Sequence, residues 1–220
     1  MKIRSVLELA EALDQAVAWR KKEISALRIL IATRGRPYEQ AALRRAAVPI
    51  LYAHWEGFAK QAATYYLHLV SRQRRRYHEL APNFIAIAAR GRIRQAADSR
   101  RIAAHLPIVE FLLEGLGEEA RLPLDGAIDT ESNLSSTVLR DLLATIGIPY
   151  DLTWSGRELL LDGSLLKTRN DVAHGERTEV DADTYDQLHQ LVLDMVNHLK
   201  TSIENQAAIR AYLRTPISAT

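Results

Sequence analysis

The chain contains no cysteine. It can therefore form no disulfide, present no thiolate nucleophile and bind no zinc through sulfur. A reducing cytosol suits such a chain. Glycine and proline are scarce, ten and seven in 220 residues, so few breaks between elements are forced. No apolar stretch approaches the roughly 20 residues of a membrane span. Near the N-terminus, Glu8, Glu11 and Asp14 come too early for the apolar run of a signal peptide. Neither sign of charge dominates. The net charge of +2 is too small to imply nucleic-acid binding by itself, so the placement of the arginines decides. These absences describe a cytoplasmic protein with no membrane partner.

What is abundant is Ala, Leu and Arg, which favour helix. Leu7, Leu13, Val17, Ile24, Leu27 and Ile31 recur at helical spacing and predict a helix over 4–33. Gly35 and Pro37 end it and open a second helix to Ser71, which Pro49 should kink or split. Around Trp55 that helix is apolar on nearly every side, as in a bundle core or an oligomer interface. Residues 72–101 read as arginine-rich and less regular. Helices are expected over Ile102–Leu116 and Ser135–Ile146, with a long loop at 117–134. A hairpin is expected over Thr153–Leu161, around Ser155-Gly156. Asp162 or Ser164 should cap a helix over Leu165–His174, and Asp181 or Asp183 one over Asp183–Ile203. The expectation is an all-α helical bundle with long antiparallel helices. It forms a single domain over 1–220, elaborated by the 117–134 loop and frayed at 214–220.

The chemistry concentrates in Arg169-Asn170-Asp171-Val172-Ala173-His174, followed by Gly175. Arg169 can donate in parallel to two phosphate oxygens and to the charge of a pentacovalent transition state. His174, next to Gly175, should sit in the last helical turn, where the dipole favours imidazolium. Histidine suits proton transfer near neutrality. Asn170 shares a face with His174 and can orient it or donate to the same phosphate. RNA supplies its own nucleophile, the 2′-hydroxyl. Such a site therefore needs no metal, no cofactor and no protein nucleophile, and it would leave 2′,3′-cyclic phosphate ends.

On an ideal helix Arg169 and His174 lie about 140° apart, and Arg169 falls within an apolar stripe of Leu165, Leu166, Val172 and Ala173. Either the arginine swings its guanidinium to the Asn170–His174 face, or two copies of the motif meet across a two-fold axis. A blander reading stays open: Arg169 pairs with an acidic neighbour and His174 caps a helix.

Arg72, Arg74, Arg75 and Arg76 stand among Tyr65, Tyr66 and Tyr77. Arginines beside stacking aromatics can hold RNA backbone and bases, although charge runs are often only solvated helix ends. Arg90, Arg92, Arg94, Arg100 and Arg101 extend this basic region. In the apolar part of the second helix the Glu56 carboxylate needs a partner, and Arg169 is a candidate; Glu56 would then support the site. His189 and His198 lack the spacing of a zinc pair and read as surface or cap residues.

The motif resembles the Arg-x4–6-His signature of the HEPN superfamily, including the polar residue after the arginine. Leu51-Tyr-Ala-His-Trp-Glu-Gly-Phe-Ala-Lys60 and Asp129-Thr-Glu-Ser-Asn-Leu134, the latter followed by a short helix to Gly147, resemble the RiboL-PSP-associated type. The resemblance implies a helical bundle that dimerises with two motifs facing a shared cleft. It implies a metal-independent endoribonuclease in toxin–antitoxin or phage-defence systems, with Arg169 and His174 as the catalytic pair and Asn170 supporting them. An antitoxin protein is then a possible partner, and the basic region would suit an acidic one. The superfamily also includes inactive members that only bind RNA or a partner, or dimerise.

Overall fold

A computed structural model describes residues 3–131 and 133–214. The protein is all-α; among the described residues the only β pairings are isolated bridges. Helix α1 spans Val6–Ala32. It begins where the Ser5 hydroxyl accepts from the Glu8 N–H at 3.1 Å, satisfying one of the first turn's orphan donors. Leu9, Leu13, Val17, Ile24 and Ile31 form its buried face.

Helix α2, Pro37–Arg72, is the central element and packs against both α1 and α9, Ala182–Ala208. It is not split at Pro49. Proline removes one backbone bond, at a cost of about 3 kcal/mol. The fully buried Ala47, Val48, Leu51, Tyr52 and Trp55 hold the helix together on either side of it by packing. Trp55, Phe58 and Tyr66 fill the core from α2. The Asp181 carboxylate caps α9 by accepting from the Thr184 N–H at 2.7 Å.

Three local expectations are overturned. Residues 72–101 are not irregular, because α3 spans Pro82–Ala97. Pro82 opens it, and Phe84 and Ile87 are buried one turn apart beneath an arginine-bearing outer face. The hairpin at Thr153–Leu161 is absent. Asp151 instead accepts from the N–H groups of Thr153 and Trp154 and starts a helical turn, α6, Leu152–Ser155; Trp154 is driven into the core, 6.1 Å from Trp55. Finally, neither Asp162 nor Ser164 caps the motif helix, because that helix begins upstream. A short turn, α7, Glu158–Leu160, runs through a π-helical stretch, Leu161–Leu166, into α8, Lys167–Ala173.

The expected helix Ile102–Leu116 is α4, Ile102–Leu113, followed by a tighter turn at Gly115–Gly117. Helix α5 spans Ser136–Ile146, capped by Ser135. His189 is buried rather than superficial, and His198 packs on Trp154 with ring centroids 4.6 Å apart. Of the expected frayed tail, Arg214 donates its N–H to the Glu79 carbonyl at 2.8 Å, whereas 215–220 lie outside the described residues. No described helix is long and apolar enough to cross a membrane.

Candidate functional site

The motif helix is short and is held from three sides. At its start, the π-helical stretch turns Asp162 toward α5, where its carboxylate accepts from the Ser136 N–H at 2.8 Å and the Ser136 hydroxyl at 2.5 Å. Along its length α8 packs on α2, and Leu165 and Leu166 just before it are buried. At its end, His174 is the C-cap. The Gly175 N–H bonds to the Val172 carbonyl at 3.1 Å and the Glu176 N–H to the Asp171 carbonyl at 2.9 Å. Gly175 has φ of +80°. Together these make a Schellman closure, which needs a left-handed residue just after the cap.

The loop after the cap is also anchored. Arg45 donates to the Glu176 carbonyl at 2.6 Å, and Arg44 to the Val180 carbonyl at 2.9 Å. Asp171 pairs with Lys167 at 3.0 Å and accepts from the Thr178 hydroxyl at 3.4 Å. His174 itself is exposed. It therefore presents its imidazole to solvent from a backbone fixed by α2.

Arg169 is half-buried. Its guanidinium carbon lies 4.9 Å from the centroid of the Tyr52 ring, and its Nη1 donates to Asn170 Oδ1 at 2.7 Å. Within one chain the side chain swings toward Asn170, an arrangement compatible with two copies of the motif meeting across a two-fold axis. The apolar stripe ends sooner than expected, with Val172 half-buried and Ala173 exposed. Arg169 thus lies on an aromatic face at the edge of the core, where a cation gains attraction while keeping part of its hydration.

Tyr52 is the residue that sequence reasoning passed over. Its hydroxyl accepts from the Leu134 N–H at 2.5 Å and lies within hydrogen-bonding reach of Glu56. Burial pushes the phenol up to about 12, against the opposing pull of the Leu134 N–H, and the Glu56 carboxylate pushes it the same way. The phenol therefore stays neutral near pH 7 and keeps its ring face for Arg169. Glu56 is placed next to this group, one turn along α2. The available signal was the i,i+4 spacing of Tyr52 and Glu56 on one helix.

The four arginines expected to bind RNA are not at this site. Arg72, Arg74 and Arg76 are exposed and Arg75 pairs with Glu79 at 3.4 Å. Arg72 is twenty residues beyond Tyr52 on α2, about 30 Å along a helix rising 1.5 Å per residue. Among the described residues, no three His, Asp or Glu side chains group as a metal-binding set.

No curated protein and no solved structure matches the chain at a significant level. Residues 15–205 match RiboL-PSP-HEPN, a span that includes α2, the loop from 129 to 134, and the whole motif helix. The chain belongs to the RiboL-PSP-HEPN family.

Proposed function

We propose that the protein is a metal-independent endoribonuclease that cuts RNA through Arg169, Asn170 and His174. The observation that carries this reading is the arrangement of Arg169. Its guanidinium is oriented by Asn170 and Tyr52, in the same short helix whose C-cap exposes an imidazole.

In this reaction the RNA 2′-oxygen attacks the adjacent phosphorus and the bond to the departing 5′-oxygen breaks. A base removes the 2′-hydroxyl proton, and an acid returns a proton to the leaving oxygen. The products are a 2′,3′-cyclic phosphate and a 5′-hydroxyl. Arg169 stabilises the charge that builds on the non-bridging oxygens. His174 performs one of the two proton transfers, and the same residue of a second copy performs the other. A homodimer with the active site at its interface follows from this division of labour. The setting is a cytoplasmic effector of a toxin–antitoxin or phage-defence system, restrained by an antitoxin protein.

The test is cleavage of single-stranded RNA by the purified chain in the presence of a chelator, with product ends identified by mass spectrometry. Cyclic phosphate ends from the wild type and none from His174→Ala, at an unchanged melting temperature, support the reading. Equal cleavage by His174→Ala removes the site assignment. The rival reading, a catalytically inactive module for RNA or partner binding, is favoured by the separate basic region beyond α2. It predicts salt-sensitive RNA binding with no cyclic phosphate from either chain.

A further inference from the structure

Between residues 72 and 101 stand nine arginines against two acids, Glu79 and Asp98. The whole chain nets only +2, so the remainder is net acidic. Charge separated this sharply creates a local positive field even on a near-neutral protein.

Folding places one of these arginines, Arg92, beside Arg121 at the wall of one groove. The turn after α2 pairs with the segment from 118 to 121: the Tyr77 N–H donates to the Glu118 carbonyl at 3.1 Å and the Ala120 N–H to the Arg75 carbonyl at 2.8 Å. The Tyr77 hydroxyl accepts from the Arg121 N–H at 3.0 Å. On α3, the Arg92 guanidinium lies 4.5 Å from the centroid of Phe111, which meets the Tyr77 ring edge-on at 5.0 Å. Arg92 and Arg121 line an open groove of about 880 Å³ together with Gln95, Glu118 and Glu119. Arg72, Arg74 and Arg76 are exposed on the chain leading into it.

We infer that this groove and the three exposed arginines bind the sugar–phosphate backbone of RNA, holding a segment of substrate remote from the one cut at Arg169 and His174. Arg92 stands on an aromatic platform that limits its motion, so less freedom is lost when it meets a phosphate. Glu118 and Glu119 repel phosphate and confine the track to the arginines. Two binding regions on one polymer, one packed on α2 at Tyr52 and the other beyond the end of α2, raise each other's effective concentration, so long RNA is preferred over short. The inference rests on RNA being the ligand, as proposed above, and not on cleavage.

Binding is measured on the full chain carrying His174→Ala, by fluorescence anisotropy of labelled single-stranded RNAs about 20 and about 4 nucleotides long, across a salt series. The longer RNA binds more tightly. Arg92→Glu with Arg121→Glu weakens it on the order of tenfold and lowers the salt slope by about 0.7 for each phosphate no longer neutralised. The tetranucleotide is weakened less. Glu118→Gln with Glu119→Gln tightens the longer RNA, a gain that misfolding cannot mimic. Unchanged affinity and slope in the arginine variant overturn the inference. So does displacement of the RNA by polyglutamate of equal charge, which would make the groove a site for acidic protein. Failure of the wild-type chain to cut RNA would remove the catalytic reading and leave the binding result standing.

Discussion

The guanidinium of Arg169 rests on the ring of Tyr52, 4.9 Å from its centroid, while the Tyr52 hydroxyl is bound by the backbone of Leu134. One tyrosine thus ties the motif helix, the central helix and the loop before α5 to a single point. Substituting it separates two roles. Tyr52→Phe keeps the face under Arg169 and strands the Leu134 N–H, so stability falls by about 1–2 kcal/mol and most turnover is retained. Tyr52→Leu removes the cation–π interaction, about 1–2 kcal/mol when partly desolvated, which is roughly five- to thirtyfold in kcat. RNA cleavage kinetics on both variants check this; equal losses would show that the ring does not position Arg169.

Gly175 closes the motif helix in a left-handed conformation, and no neighbouring atom lies within 4 Å of the place a Cβ would take. The penalty for substitution is therefore conformational and not steric crowding by neighbours. Gly175→Val should cost about 1–2 kcal/mol, and Gly175→Asn distinctly less, because asparagine tolerates this region. Urea denaturation of the two variants gives the comparison. Equal costs would mean that the closure is not what the glycine supplies.

Asp162 couples the approach to the motif with α5 through two hydrogen bonds to Ser136. Asp162→Ala should destabilise the protein by about 1–2 kcal/mol, as loss of a helix-start acceptor does. Ser136→Ala removes only the hydroxyl bond and should cost less. A double-mutant cycle should show a coupling of at least about 0.5 kcal/mol; additive effects would place the two groups in separate roles.

Four histidines contribute to the pH response of the fold, one of them the half-buried His68, held below the usual histidine value chiefly by burial. His54, His189 and His198 are each held below the usual histidine value, chiefly by burial. Arg20, Arg28 and Arg157 respectively add to the depression, whereas Glu23, Asp186 and Asp151 oppose it. With the folded value depressed, the unfolded chain binds protons more readily. Stability is then full above the ordinary histidine value, about 6.5, and declines as pH falls below it. The depressed carboxylates Glu79 and Asp181 act at lower pH. Thermal melts should therefore show a lower Tm at pH 5 than at pH 7, by about 2–4 °C for each kcal/mol of stability removed, and His54→Gln should flatten the profile. A Tm independent of pH over that range would contradict the burial of these rings.

The helical periodicity of α1 and α9 was plain because each carries apolar residues on one face and a side chain that caps its start. Helix α3 was hidden by the reverse situation. Its buried residues are few, and its outer arginines read as an irregular basic stretch although Pro82 marks its beginning. The turn at Asp151 reads as a hairpin in the sequence because Ser155-Gly156 has the composition of one. The competing cap at Asp151 and the burial of Trp154 decided for helix, and burial depends on Trp55, which lies far away in sequence.

The sequence by itself determined the helical class, the position of the Arg169–His174 motif near a helix end, and the family resemblance, since all three depend on local spacing and residue type. Only the tertiary structure decided what Arg169 rests on, what anchors the loop after His174, and how far the arginines after α2 lie from both. Those relations join residues distant in the chain. A cation's setting depends on the ring, carboxylate and backbone groups that folding brings around it, and local periodicity carries no record of them.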